Sequence, residues 1–578
     1  MKYKKSLSLI LIILIVLTVA GCEQKELVVE EEPQGEGIDT TTEYTPVEGG
    51  QVVLPLTNFN TLNPLMIENT SYYFFSKLIF EGLFDFGDDL NIINQLAKDY
   101  SIKDDGRVIN IELRDDVYWH DGEKFEAEDV AFTINTIKYA NTDSTYKQMF
   151  SNAMGSYSPS DLRRIMDVSI IDDNNIVLTF DRAFSNNLEV LTFPIIPRHI
   201  FATNKGGSQD FIKALEVNNY TPIGTGPYKF ESYEKMKQIK LSRNDDYRNG
   251  KPYIHEIIGR VLDNEEDILT AFETGQINMA TTIGVDWDKY SQNTRIKTFE
   301  FVSANYEFLG FNFSKELFSE EKGQHLRKAI VYGIDRQFII QNLYLGHGTQ
   351  TDVPIHPDSW LISQSANTYG YNLELAKEEL NKLGWKDIDN DGFLEDENGE
   401  SISLKLLTNS YNPLRLRTAE MIKEDLNKLG INVSIYPEDR QDEKVTIEDI
   451  ESQWETINQQ LLSGDYDMAL LGWQLSIIPE LSFAFHSSQI QYNTNFIKYA
   501  NEHMDALLEN AFLKGTREEK IKSYDELQVF IVKELPYLSL FFKNKALLVD
   551  SKILGDLNPV FFNPYRGIEK CYIPTELQ

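Results

Sequence analysis

Apolar and polar positions follow three patterns along this chain. Gln51-Val52-Val53-Leu54-Pro55-Leu56 predicts a first strand, and Thr57 to Pro64 a polar loop at its carboxyl end. Ser71 to Phe86 predicts one helix, with Phe74, Leu78, Ile79, Gly82 and Leu83 on one face. Asp104-Asp105-Gly106 predicts a hairpin turn between strands at Tyr100–Lys103 and Val108–Leu113. Glu126 to Phe132 starts a helix, with acids at the positive end of its dipole. Later segments alternate between strand and helix. Leu309 to Phe313 predicts a strand opening a new domain, and Leu326 to Tyr344 one long amphipathic helix stopped near Gly346. Helices follow at Asn372–Leu383 and Ala419–Leu429, then strands at Asn432–Tyr436 and Leu535–Phe541. That alternation predicts a doubly wound α/β domain.

The third pattern is a run with no alternation, Met468-Ala469-Leu470-Leu471, which predicts a strand buried on both faces, as in a parallel sheet covered by helices. It leads into Gly472-Trp473-Gln474-Leu475-Ser476 and a loop closed by Pro479. In open α/β sheets ligands sit beyond the carboxyl ends of the strands. Trp473 is therefore a candidate binding residue, against the alternative that it only caps the core.

The amino terminus is a different kind of sequence. Lys2, Lys4 and Lys5 precede a short apolar run, Leu7 to Val19, which ends in Val19-Ala20-Gly21-Cys22. This resembles the lipobox of bacterial lipoproteins, in which the Cys is lipidated and becomes the first residue. The expectation is a signal peptide over residues 1–21 and a lipid anchor at Cys22. Glu23 to Glu48 is acidic, rich in Thr, Gly and Pro, and predicts a disordered tether whose ends lie roughly 30 Å apart.

At 578 residues the chain needs two to four domains. Its formal charge of −35 repels nucleic acid and anionic lipid head groups. The two cysteines, Cys22 and Cys571, build neither a disulfide scaffold nor a Cys-based zinc site. There is no H-E-x-x-H, G-x-S-x-G or Walker loop. His120 beside Asp121 lacks a nearby nucleophile and predicts a turn through Asp121-Gly122. No enzyme is expected.

Several motifs occur in a fixed order. Leu113-Arg114, Trp119-His120-Asp121-Gly122 and Ala127-Glu128-Asp129-Val130 come first, then Pro222-Ile223-Gly224-Thr225-Gly226-Pro227-Tyr228, then Asp246-Tyr247 and Gly250-Lys251-Pro252. Together with the helices at Leu326, Asn372 and Ala419, they resemble the oligopeptide, dipeptide and nickel class (family 5) of ABC-transporter solute-binding proteins. The resemblance covers about residues 50 to 565. It implies a bilobal, periplasmic-binding-protein-like α/β fold with an extra subdomain inserted in the first lobe. Lobe I would span residues 49–300 with the subdomain at about 96–189, lobe II 301–534, and a return to lobe I 535–578.

The same resemblance implies a monomer that captures a peptide-like solute between its lobes and delivers it to an ABC permease. It would sit on the outer face of the cytoplasmic membrane, or on the periplasmic face in a two-membrane cell. The alternatives are an oligosaccharide or chelated-metal binder, or a lipoprotein sensor or chaperone without transport. Trp473, Gln474 and Ser476 would line the cleft, with Asn58 and Phe59 facing them. Peptide binders of this class commonly carry an Asp three residues past the Trp, pairing with the ligand's α-ammonium. This chain has Ser476 there, which supplies no charge, and Glu480 is the nearest acid that could substitute. Arg415 and Arg417 lie where a carboxylate-binding Arg would fall, but an exposed surface role is the plainer expectation.

Asp387-Ile388-Asp389-Asn390-Asp391-Gly392 opens like a calcium loop, yet its twelfth position is Asn398, not the bidentate Glu, and Ser401–Leu407 alternates like a strand. The expectation is an acidic hairpin turn that holds at most a structural calcium ion through Asp387, Asp389 and Asp391. No other cofactor is expected.

Overall fold

The computed structural model describes residues 44–578 apart from 148–165, 184, 203–209, 218–219, 283, 368–369, 438–446 and 515. The signal segment, Cys22 and most of the acidic tether lie outside the described residues. The last residues assigned to the tether are docked. Glu48 pairs with Arg243 at 2.8 Å and Lys251 at 3.0 Å, and the Tyr572 hydroxyl donates to the Tyr44 carbonyl at 2.9 Å. Among the described residues no helix is long and apolar enough to cross a membrane.

β1 (Gln51–Leu56) opens lobe I. The hairpin of β2 (Phe84–Phe86) and β3 (Ile92–Asn94) leads to the inserted subdomain. There β4 (Ala97–Lys103), β5 (Val108–Leu113), β6 (Met166–Asp172) and β7 (Asn175–Phe180) pair antiparallel in the order β4-β5-β7-β6. Lys103 pairs with Val108 across the expected Asp104-Asp105-Gly106 turn. Helix Ala127–Tyr139 covers this sheet and starts with a capping box between Glu126 and Asp129. The chain then returns to lobe I as β8 (Tyr228–Glu234), β9 (Gln238–Arg243) and β10 (Glu256–Val261), giving the order β1-β10-β9-β8.

Three of the ordered lobe I motifs, those of His120, Gly224–Tyr228 and Tyr247, meet in one place. The His120 ring accepts from the Gly224 N–H at Nδ1 (3.2 Å) and contacts the Gly226 carbonyl at Nε2 (3.0 Å). Gly226 and Tyr228 donate their N–H groups to the carbonyls of Ile79 (2.9 Å) and Leu78 (3.0 Å). A Cβ at Gly224 would lie 1.8 Å from the Ile79 carbonyl oxygen, so only glycine lets these backbones meet. Nearby, buried Glu81 accepts from Tyr247 (3.0 Å), Thr225 (2.8 Å) and Arg248 Nη2 (2.7 Å).

This junction explains a departure from the sequence reading. The helix expected from Ser71 to Phe86 ends at Ser76. The carbonyls of Leu78 and Ile79, which would continue it, are taken by the Gly226–Tyr228 strand entry instead.

The second sheet contains β11 (Met279–Thr281), β12 (Ile296–Phe311), β13 (Gly348–Gln350), β14 (Ser403–Leu407), β15 (Asn432–Tyr436), β16 (Met468–Gln474) and β17 (Tyr537–Asp550). Its order is β11-β17-β12-β16-β14-β15, with β13 also on β17. β16 is buried on both faces as expected, but it runs parallel only to β14 and antiparallel to β12. The long helix expected over Leu326–Tyr344 is two, Glu320–Gly333 and Arg336–Leu343. Asp335 ends the first by capping the second, its side chain accepting from the Phe338 N–H at 2.9 Å.

Two strands belong to both lobes. Tyr306, Phe308, Leu309 and Phe311 of β12 and Leu538, Leu540 and Phe541 of β17 are buried in the lobe II cores. Farther along, Leu547 and Val549 of β17 enter the lobe I core, against which Phe299 and Phe301 of β12 pack. The β12–β17 register shifts between Val302 and Tyr306. The expected boundary at residue 301 thus falls inside one continuous strand.

Candidate functional site

β16 carries its sequence to the edge between the lobes. Glu307 stands opposite Gly472 in the β12–β16 register, and Tyr306 opposite Trp473. Arg415, near the start of helix Pro413–Asn427, is not a surface residue. Its Nε and Nη2 donate to the two oxygens of Glu307 at 2.8 Å each, and Nη1 donates to the Asn409 side chain at 2.8 Å. Lys543 adds a second cation at 2.7 Å from Glu307. Burial would raise the Glu307 carboxyl, but Arg415 and then Lys543 outweigh it and hold it below the ordinary carboxylate range. Gly472 makes room for this pair: a Cβ there would meet Arg415 Nη2 at 2.6 Å and Glu307 Oε1 at 2.9 Å.

Trp473 lies on the opposite face. Its ring stacks near Phe308 (6.0 Å, 15°), meets Phe483 edge-on (5.3 Å) and tilts against Phe496 (6.0 Å). The indole body is therefore part of the lobe II aromatic cluster. Its N–H points toward the Tyr537 hydroxyl without a hydrogen bond of good geometry, leaving both atoms buried and unpartnered. Gln474 and Ser476 are exposed. Ser476 Oγ accepts from the Ile478 N–H at 3.2 Å, which shapes the turn. Glu480 accepts from the Ser482 N–H at 2.7 Å, and burial pushes its carboxyl up.

Past this turn Ile478 is buried in the core of the lobe I subdomain, so the loop after Trp473 bridges the lobes. Other bridges lie close in the fold. Lys520 pairs with Glu189 at 2.5 Å and donates to the Ser185 carbonyl at 3.0 Å; both charged side chains are buried. The Ser185 N–H donates to the Phe512 carbonyl at 2.7 Å and the Trp360 N–H to the Asp89 carbonyl at 2.8 Å.

Asn58 and Phe59 stay within lobe I. Phe59 stacks on Tyr72 (4.5 Å, 10°) and tilts against Tyr233 (5.4 Å), while the Asn58 carbonyl accepts from Asn69 at 3.0 Å. Among the described residues no ring contact joins Phe59 to Trp473. Trp473, Gln474 and Ser476 follow one another at the end of β16, and Asn58 and Phe59 make their contacts within lobe I. A cavity of about 450 Å³, including its open mouth, lies in lobe I beside the Lys77–Asp85 pair (3.1 Å) and is lined also by Tyr73, Tyr146, Thr192 and Asn563. None of the five residues expected from sequence lines it.

Sequence reasoning missed Glu307, Lys543, Glu189 and Lys520. Glu307 had a signal: one acid inside the apolar run Tyr306-Glu307-Phe308-Leu309 must be paired if the run is buried.

His120, the one histidine inside a motif, is held as a neutral structural group. Burial lowers it to about 4, and its two ring nitrogens are both engaged by backbone. The arrangement is one of shape, aromatic surface and paired charge, suited to binding.

The profile of the bacterial extracellular solute-binding proteins, family 5 (middle region), matches residues 91–494. The chain belongs to that family. The oligopeptide-binding protein AppA of Bacillus subtilis is 27% identical over 520 residues, covering 88% of this chain and 89% of the relative. The solved structure of AppA in complex with a nonapeptide superposes with a TM-score of 0.59 at 25% identity, covering 92% of this chain and all of that one. NikZ of Campylobacter jejuni, solved with Ni(L-His), superposes with a TM-score of 0.61 at 24% identity, covering 90% and 97%. This family-5 protein is thus bilobal, acts outside the cytoplasm and binds a solute without transforming it.

Proposed function

We propose that this family-5 protein captures a peptide-like solute between its lobes and delivers it to an ABC permease in the membrane to which Cys22 anchors it. The observation that carries the reading is the end of β16. There Trp473, packed on the lobe II aromatics with its indole N–H toward the Tyr537 hydroxyl, stands at the root of a loop that reaches lobe I through Ile478. The likeness to a nonapeptide-binding relative over most of both chains supports a peptide.

Ser476 bears on how the peptide is held. Its hydroxyl accepts from the Ile478 amide and carries no charge, so a free amino terminus is anchored less strongly there than by an Asp. Recognition then rests on the peptide's main chain and side chains. Chelated metal is the second reading, favoured by the fold shared with NikZ.

Native mass spectrometry of the protein as purified, followed by identification of what it releases, tests both. A ladder of peptides is the expected result. A metal chelate or a saccharide would replace the peptide reading. For the anchor, the mass of the mature amino terminus distinguishes diacylated or triacylated Cys22 from a plain cleaved end.

A further inference from the structure

The loop between helix Leu373–Leu383 and β14 carries acids that solute binding does not use. One carboxylate oxygen from each of Asp387, Asp389 and Glu395 lies within 4.8 Å of the other two. Three like charges this close repel one another unless a cation joins them. Among the described residues no lysine or arginine forms an ion pair with any of the three; Lys322, which reaches this loop, pairs with Glu397 at 3.6 Å instead.

Glu395 supplies an independent observation. Only 5% of it is exposed, its carboxylate turns into the cluster, and its Oε1 is buried without a hydrogen-bond partner. Its other oxygen, Oε2, accepts the Ile388 N–H at 2.6 Å, and its main chain is fixed to Lys386 by two bonds of 2.9 and 3.1 Å. A buried carboxylate oxygen with no donor is costly, and a cation at this point removes the cost.

The donor set selects the ion. All three ligands are carboxylates, with no nitrogen or sulfur, which disfavours zinc. They fall at positions one, three and nine of a calcium loop, and Gly392 at position six has φ +95°, the sharp turn that loop requires. Gly392 and Asp391 donate their N–H groups to Asp387 (3.2 Å) and Asp389 (3.1 Å), orienting both carboxylates. Asp391 itself is not in the cluster, and its Oδ1 accepts the Phe393 N–H at 2.8 Å. Asn398, at position twelve, bonds Asp396 instead.

We propose that Asp387, Asp389 and Glu395 form a calcium site that fixes this loop to the edge of lobe II. The loop is already tied there: the Leu394 N–H donates to the Gly430 carbonyl and the Ile402 N–H to the Leu394 carbonyl, both at 2.8 Å. Without a bidentate acid at position twelve the affinity belongs to the weak class of extracellular modules, about 10⁻⁴–10⁻³ M. That range suits a protein working outside the cytoplasm.

Thermal unfolding and amide exchange of the full mature chain, in EDTA and across a calcium chloride titration, test the site. The melting midpoint rises and saturates with a Kd in the range of about 10⁻⁴–10⁻³ M, while exchange slows at residues 387–395. Asp389→Asn, an exposed change, weakens calcium binding at least about tenfold and leaves the midpoint in EDTA unchanged or higher, because one repelling charge is gone. No calcium-dependent shift up to about 10 mM, or an equal shift with magnesium or in the Asp389→Asn variant, overturns the proposal.

Discussion

Arg415 holds Glu307 by two parallel hydrogen bonds, Nε to Oε2 and Nη2 to Oε1, both 2.8 Å long, and the pair occupies the space that a side chain at residue 472 would fill. Removing one partner of such a pair leaves a buried charge. Arg415→Ala is expected to lower stability by about 3 kcal/mol, moderated by Lys543, and Gly472→Ala by about 2 kcal/mol through steric disruption. Urea unfolding measures both. Because Glu307 is held below its unfolded value, its contribution is complete above the ordinary carboxylate pKa of about 4.3 and is lost as pH falls through the folded value. The gap between wild type and Arg415→Ala therefore narrows only in acid.

His120 also loses stability in acid, but for a different reason and at higher pH. Its folded-state value of about 4 lies below the unfolded value of about 6.5, since burial disfavours the charged ring. Stability from the neutral ring is fully present above pH 6.5 or so and is lost as pH falls toward 4. The full linkage is about 3 kcal/mol. His120→Asn should lower stability at neutral pH and unfold with a shallower pH slope in that window, by about one proton. Identical slopes for the two proteins would refute the assignment of a neutral ring.

Trp473→Ala should weaken binding of the solute recovered from the purified protein by tenfold or more, about 1.4 kcal/mol, in isothermal titration. Unchanged affinity would place the ring in the core only. Ser476→Asp should favour peptides with a free amino terminus over their acetylated forms by several-fold, since it restores a charge partner at the turn. Equal preference would show that the turn does not meet the ligand.

Glu189→Gln leaves Lys520 buried against Ser185 without its counter-charge. The contact between the lobes bears the cost, about 2–5 kcal/mol. Small-angle scattering should show a larger radius of gyration than wild type in the same buffer. An unchanged radius with unchanged ligand affinity would mean that this pair does not hold the lobes together.

Local structure was largely legible in the sequence. β15 at Asn432–Tyr436 and the Asp104-Asp105-Gly106 hairpin follow directly from alternation and turn chemistry. The errors share a cause. Helix Thr70–Ser76 stops early because backbone from residues 226–228 takes the Leu78 and Ile79 carbonyls. The run Met468–Leu471 reads as buried but not as antiparallel to β12, since burial on both faces carries no direction. Arg415 reads as exposed because its partner, Glu307, lies 108 positions away in the chain. The position of Trp473 at the end of a buried strand was legible from the run before it, whereas Glu189 and Lys520 meet only once the lobes are assembled.

Sharing β12 and β17 between the lobes constrains how the molecule comes apart. In many two-domain chains a linker lets one half melt while the other survives. Here Tyr306 and Leu538 serve one core and Leu547 the other on the same two ribbons. Melting the large sheet removes Leu547 and Val549 from the lobe I core, so the two lobes are expected to unfold as one cooperative unit. The β12–β17 register shift at Val302–Tyr306 falls where the two strands pass between the lobes, and one cooperative unit would offer proteases outside the cell no separately unfolded lobe.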